Sequence, residues 1–363
     1  MWLNRAVRRW FRREHPAQLK GAEPRRRGRV DHVIILDGTM STLAEGFETN
    51  AGITFKLLTE RGRVADLSLY YEAGIQWQEW RHAPDVIMGR GLNRQIRRAY
   101  GFLASRYRPG DRIFLFGFSR GAYAVRSLAG IIDRIGLVRA EQATTRAIRQ
   151  AYRHYELDPG SRSARRFAEL YCHAEAPVEM VGVWDTVKAL GLRVPFLWML
   201  TERRYAYHDH NLGRSIRNGY HALALDETRE AYTPVLWELG QELADHQHVE
   251  QVWFRGAHGD IGGQLGGFEA ARPLANIPLV WMLERAEGCG LILPSGWRAR
   301  FPRDPEAPSV GTWRQWGKTF ILRRRRLIGS DLSEAIHPTA IASHPGLSLA
   351  VPPSVPGRGL NPS

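Results

Sequence analysis

The stretch Phe114–Gly130, "FLFGFSRGAYAVRSLAG", decides how the rest of the chain is read. An apolar run gives way to a serine set between two glycines, and the small residues that follow carry a helical pattern. Such a run suits a strand buried on both faces, as in a parallel sheet covered by helices. The bare pattern G-x-S-x-G is cheap, since roughly one chain in five of this length and composition would hold it by accident. Its setting supplies the meaning. A strand, a sharp turn and a helix lift the Ser119 hydroxyl clear of the sheet, while Gly117 and Gly121 keep side chains out of the turn. The backbone N–H of Arg120, at the start of that helix, then points toward a developing oxyanion.

The flanking sequence repeats the alternation. Short β-branched or aromatic runs at His32–Gly38, Val64–Gly74, Arg112–Ser119, Val178–Val187 and Val249–Gly259 read as strands. Helical stretches at Gly91–Arg106, Ala122–Ile135, Ala140–Tyr155 and Arg162–Cys172 lie between them. The pattern predicts an α/β fold, a mostly parallel sheet with helices on both faces. Ligands in such sheets bind beyond the carboxyl ends of the strands, where Asp37, Ser119, Asp185 and His258 would gather.

A serine hydroxyl needs a base and an orienting acid. "GVWDTV" sets Asp185 at a strand end, and "RGAHGDIGG" sets His258 in a glycine-rich loop after the last strand of the series. Asp260 is the alternative acid, or fixes that loop through backbone hydrogen bonds. Gly38 or Thr39, in the turn after the first strand, offers a second oxyanion N–H beside that of Arg120. Asp37 would be neutralised by a salt bridge to Arg120 or Arg126. His208–His210 and His246–His248 have H-x-H spacing, yet no third set of ligands is evident, so neither a metal nor another cofactor is expected. His221 and Asp226, in "YHALALDETR", read as the start of a helix and a surface or packing pair.

With 363 residues, 44% of them hydrophobic, the chain suffices for one large globular unit. Its net charge is +14, and the first 30 residues hold ten basic and two acidic side chains, so more than half of the excess lies there. Nucleic acid is not an expected partner, because no recognition motif accompanies this charge. Along residues 2–13, Trp2, Leu3, Ala6, Val7, Trp10 and Phe11 share one helical arc and five arginines the other. That suits a helix lying on an anionic membrane surface, a basic helix docked on the protein itself, or a disordered leader. The organisation expected is a basic amphipathic leader and linker over 1–29, a catalytic unit over 30–345 and a Pro/Gly-rich tail over 346–363. Without a signal-peptide pattern, the expected location is the cytoplasm, peripheral at the inner membrane, with any export following another route. Cys172 and Cys289 read as two buried thiols. The apolar Gly191–Leu200 stretch, between acid and base, reads as a lid or as an ordinary buried segment.

Four segments in this order, "GFSRGAYAVRSLAGII", "VGVWDTV", "YHALALDETREAYTPVLW" and "VWFRGAHGDIGG", resemble an α/β-hydrolase family of bacterial and fungal proteins that includes phospholipase effectors of the type VI secretion system. "VIILDGTMST" resembles the family's first strand and turn, and Gln264 stands where the family usually has a further glycine. The resemblance runs from Val30 to about Leu291. It implies an α/β-hydrolase-like fold with a lid or cap insertion, a Ser119–His258–Asp185 triad, and a serine hydrolase cleaving carboxylic esters of lipids. The rival reading is a catalytically inactive hydrolase-fold protein that binds a membrane or partner through its leader and Arg323–Arg326.

Overall fold

The computed structural model describes residues 28–62, 64–74, 90–187, 212–238, 246–313 and 322–346. Seven strands form one sheet: β1 (Asp31–Leu36), β2 (Leu67–Glu72), β3 (Arg112–Phe118), β4 (Val178–Trp184), β5 (Ile216–Ala224), β6 (His248–Phe254) and β7 (Glu334–Ile336). Every pairing is parallel, in the order β2-β1-β3-β4-β5-β6-β7. The described helices of the α type are α1 (Asn50–Thr59), α2 (Arg90–Ala104), α3 (Arg120–Arg134), α4 (Thr145–Leu157), α5 (Arg162–Tyr171), α6 (His258–Gly262), α7 (Arg272–Gly288) and α8 (Pro338–Ile341).

The apolar runs behave as strands because both of their faces are covered. In β3, Ile113 and Leu115 join the core beneath α2, α3, α4 and α5, whereas Phe114, Phe116 and Phe118 join the core beneath α1, α6 and α7. β1 divides the same way, Ile34 and Leu36 to the first core and Val33 and Ile35 to the second. Alternation along a strand thus feeds two hydrophobic layers, and this requires an α/β fold with helices on both faces.

The strand order reverses at β1. The chain steps outward from β1 to β2, recrosses through α2 to β3, and then continues toward β7. The crevice outside the carboxyl ends of β1 and β3 is therefore the topological switch point, where open α/β sheets take their ligands. Both the β1 turn and Ser119 lie there.

One segment departs from the sequence reading. "YHALA" (Tyr220–Ala224), expected in a helix, closes β5 in the middle of the sheet. Its side chains are buried, with Tyr220, Ala222 and Ala224 in one core cluster and Leu223 in another. A short apolar run has no period that separates buried helix from buried strand, and here pairing on both edges overrides the helical propensity of alanine and leucine. The leader helix over residues 2–13 and the Gly191–Leu200 stretch lie outside the described residues, as does the tail beyond residue 346.

Candidate active site

Ser119 sits between β3 and α3 with φ 58° and ψ −120°, a conformation that a residue with a Cβ adopts at a cost of about 1–3 kcal/mol. Its surroundings enforce it. A Cβ at Gly121 would lie 2.0 Å from the Leu36 carbonyl oxygen, so α3 approaches β1 this closely only through glycine, and Gly117 fits against the Gly121–Ala122 backbone in the same way. The Ser119 N–H donates to the carbonyl of Trp184, tying the turn to β4.

Two more loops bring their side chains to that hydroxyl. Asp185, directly after β4 and with φ 42°, is fully buried. His258 opens α6 after β6, and its Nε2 lies 2.9 Å from Ser119 Oγ while its Nδ1 lies 2.6 Å from Asp185 Oδ2. A carboxylate only accepts, so Nδ1 carries the proton and Nε2 is left to accept from the serine. Phe118 lies under the imidazole with ring centroids 4.8 Å apart, and Tyr232 meets it edge-on at 4.7 Å. Both rings pack against the imidazole and restrict its rotation. The His258 N–H donates to Glu227 Oε2 at 3.2 Å. Glu227 in turn pairs with Arg229, whose guanidinium lies 3.9 Å from the centre of the Tyr232 ring.

The charge of the acid is balanced by a group outside these loops. Arg326 donates to Asp185 Oδ1 at 2.5 Å and to Oδ2 at 2.9 Å. Burial alone would raise the Asp185 carboxyl, but the Arg326 guanidinium and the His258 ring outweigh it and hold the group well below the usual carboxylate range.

The turn after β1 forms the opposite wall. The Gly38 N–H donates to Asp37 Oδ1 at 2.6 Å, so it is already occupied, whereas the Thr39 N–H has no partner among the described residues. Gln264 donates its amide to the Thr39 carbonyl at 2.9 Å and so ties this turn to the loop after α6. Gly38 allows the turn to lie on Phe118, because a Cβ there would fall 2.6 Å from that ring. Arg120 opens α3, and a first-turn N–H has no carbonyl partner within its own helix. The expected salt bridge to Asp37 does not form. Asp37 instead accepts from Gly38, from Thr49 at 2.7 Å and from Tyr71 at 2.8 Å, while Arg126 donates to the carbonyls of Val235 and Leu236. Burial, only partly offset by these neutral donors, raises the Asp37 carboxyl to about 6.

Other sequence candidates fall elsewhere. Asp260 caps its own loop, accepting from the Ala257 and Val310 N–H groups at 2.8 Å and from the Ser309 hydroxyl at 2.5 Å. His221 is buried in β5 and accepts from the Thr186 N–H at 3.1 Å. Desolvation, with Arg126 nearby, lowers its ring to about 3, so it stays neutral. Asp226, two residues past the end of β5, accepts from the Gly256 N–H and pairs with His344. His246 bonds the Arg214 carbonyl and His248 pairs with Glu250, while His208–His210 lies outside the described residues. Among the described residues no three or more His, Cys, Asp or Glu side chains are grouped to hold a metal. Cys172 is buried and Cys289 half-buried, both as free thiols. The sequence reading missed Arg326, Glu227, Tyr232 and Phe118. Phe118 carried a local signal by preceding the serine, and Glu227 and Tyr232 stand within the segment "YHALALDETREAYTPVLW", whereas Arg326 carried none.

Residues 31–285 match the family described as "T6SS, Phospholipase effector Tle1-like, catalytic domain". The uncharacterized protein YEL023C of Saccharomyces cerevisiae is 28% identical over 221 residues, 54% of this chain and 31% of that protein. Two solved structures are similar at low sequence identity. An uncharacterized protein from Pseudomonas aeruginosa has a TM-score of 0.39 and 15% identity, over 76% of this chain and 49% of that one. The Tle1 effector bound to the VgrG spike of the type 6 secretion system has a TM-score of 0.34 and 17% identity, over 65% of this chain and 51% of that one. The chain thus spans about half the length of these two structures and under a third of the yeast relative.

Proposed function

Because this chain belongs to the family of Tle1-like phospholipase effector catalytic domains, we propose that it is a serine hydrolase cleaving carboxylic ester bonds of a phospholipid or related acyl lipid. The observation that carries this reading is the bridging imidazole of His258, within hydrogen-bond reach of Ser119 Oγ on one side and of Asp185 on the other.

Ser119 Oγ attacks the ester carbonyl as its proton passes to His258 Nε2, giving a tetrahedral intermediate and an imidazolium stabilised by Asp185. The Arg120 and Thr39 N–H groups receive the oxyanion at the switch point. Collapse expels the alcohol, which takes the proton from Nε2 and leaves an acyl ester on Ser119. Water then attacks this ester, gives a proton to His258, and releases the fatty acid with the serine hydroxyl restored. No step draws on a cofactor. The amphipathic stretch over residues 2–13 would bring the enzyme to an anionic lipid surface.

The test is covalent labelling of the full chain with a fluorophosphonate, followed by fatty-acid release from phospholipid vesicles. Labelling and release should both be lost in Ser119→Ala while the variant keeps its melting temperature. A folded wild-type chain that neither labels nor releases fatty acid would favour the non-catalytic reading.

A further inference from the structure

We propose that Arg326 is a positioning residue of this site, its forked guanidinium holding both oxygens of Asp185 in the plane from which the carboxylate orients His258. The proposal rests on the serine mechanism above and adds a group that lies beyond the matched residues 31–285.

The geometry is that of a built clamp. Nη1 serves Oδ1 of Asp185 and the Ala224 carbonyl, at 2.5 and 2.8 Å, while Nη2 serves Oδ2 and the Tyr232 carbonyl, at 2.9 and 2.6 Å. The two side chains are 4% and 0% exposed, so water screens little of their attraction. Asp185 Oδ1 also accepts from the Ala224 N–H at 3.0 Å, and Oδ2 accepts from His258 Nδ1. Each oxygen thus receives two donors, one of them from Arg326, and the carboxylate has no free rotation left. The same guanidinium anchors the carbonyl of Tyr232, whose ring lies against the imidazole. One side chain therefore fixes both the acid and one wall of the base.

Arg326 does more here than neutralise charge. Without it, Asp185 would be an anion in an apolar setting with one counter-ion fewer, and burial would favour its protonated form. A protonated carboxyl can offer an O–H where His258 needs an acceptor, which breaks the tautomer the serine depends on. A lysine would restore the charge but not the fork, because an ammonium cannot make two parallel bonds to one carboxylate. The run Arg323–Arg326 is thus not uniformly a surface patch: Arg323 reaches the Thr312 carbonyl and the Trp313 ring, while Arg326 turns inward.

The test compares Arg326→Gln, Arg326→Lys and Asp185→Asn, alone and combined, in the full chain, by hydrolysis of a short soluble ester from mildly acid to mildly alkaline pH. Arg326→Gln should lower kcat about 10- to 100-fold, as loss of a group that orients a catalytic side chain does, with KM little changed. Its activity should also fail at a higher pH on the acid side than that of the wild type. Arg326→Lys should lie between the two. In the Asp185→Asn background, Arg326→Gln should cause no further loss, because the carboxylate it positions is gone. A wild-type kcat and pH profile in Arg326→Gln, whatever its melting temperature, would overturn the proposal, as would a loss that multiplies in full onto that of Asp185→Asn. If Arg326→Gln does not fold, Arg326→Lys decides: a reduced kcat with KM little changed supports the clamp, and a wild-type kcat overturns it. Labelling that survives Ser119→Ala would instead overturn the underlying mechanism, a result distinct from Ser119-dependent labelling with silent Arg326 variants.

Discussion

The Asp37 carboxyl makes the stability of this protein depend on pH in a direction unusual for an aspartate. Burial raises it from 3.8 to about 6, against the opposing pull of Thr49, Tyr71 and Gly38. The folded state therefore holds this proton more tightly than the unfolded chain. Stability from this group is fully present below pH 3.8, falls as the pH rises toward about 6, and is absent above that. Two pH units correspond to about 3 kcal/mol, a sizeable share of a typical folding free energy. Asp37→Asn removes the ionisation, and the hydroxyls of Thr49 and Tyr71 can turn to accept from the new amide. Urea unfolding of both proteins at a series of pH values isolates the effect, because the other titrating groups cancel in the difference. The variant should gain on the wild type by about 2 kcal/mol between pH 4 and pH 7, most of it below pH 6. A difference that is flat with pH would refute the buried, charge-poor setting assigned to Asp37.

The remaining expectations concern the acid and the leader. Asp185→Asn should lower the melting temperature, because the buried Arg326 loses its counter-ion, and should lower the kcat of the folded protein by about three to four orders of magnitude, as loss of the acid does in other triads; a nearly silent change in ester hydrolysis would remove Asp185 from that role. Deleting residues 1–13 should reduce sedimentation with anionic vesicles while leaving hydrolysis of a short soluble ester unchanged, and equal sedimentation of both proteins would refute membrane contact.

Much of this was legible because the decisive features are local. A strand that runs into G-x-S-x-G announces its own turn, and a parallel sheet brings the ends of β1, β3 and β4 and the loop after β6 to one edge whatever the lengths between them. Asp37, Ser119, Asp185 and His258 could therefore be named together from strand ends alone. What escaped was set by distant partners. "YHALA" reads as helix until β4 and β6 pair on either side of it. Arg326 stands in a run of four arginines, and such runs ordinarily face water; nothing within the run marks the one that turns inward to a carboxylate 141 residues earlier. Gln264 looked like a flaw in a glycine pattern, and its use became visible only with the Thr39 carbonyl beside it.

The all-parallel connectivity also dictates when this site can come into being. Each parallel pairing needs a crossover, so no hairpin can close early and hold its neighbours in place. Loop-closure entropy must be met before the long-range contacts return any energy, which makes such sheets slow to fold. Ser119 and His258 are 139 residues apart, and Asp185 and Arg326 are 141 apart. A nascent chain that has built β1 through β4 already displays the strained serine and the carboxylate, yet it has neither base nor counter-ion. The proposed site is therefore complete only after the long-range contacts have formed, the last of them setting Arg326 against the end of β5 and Asp185.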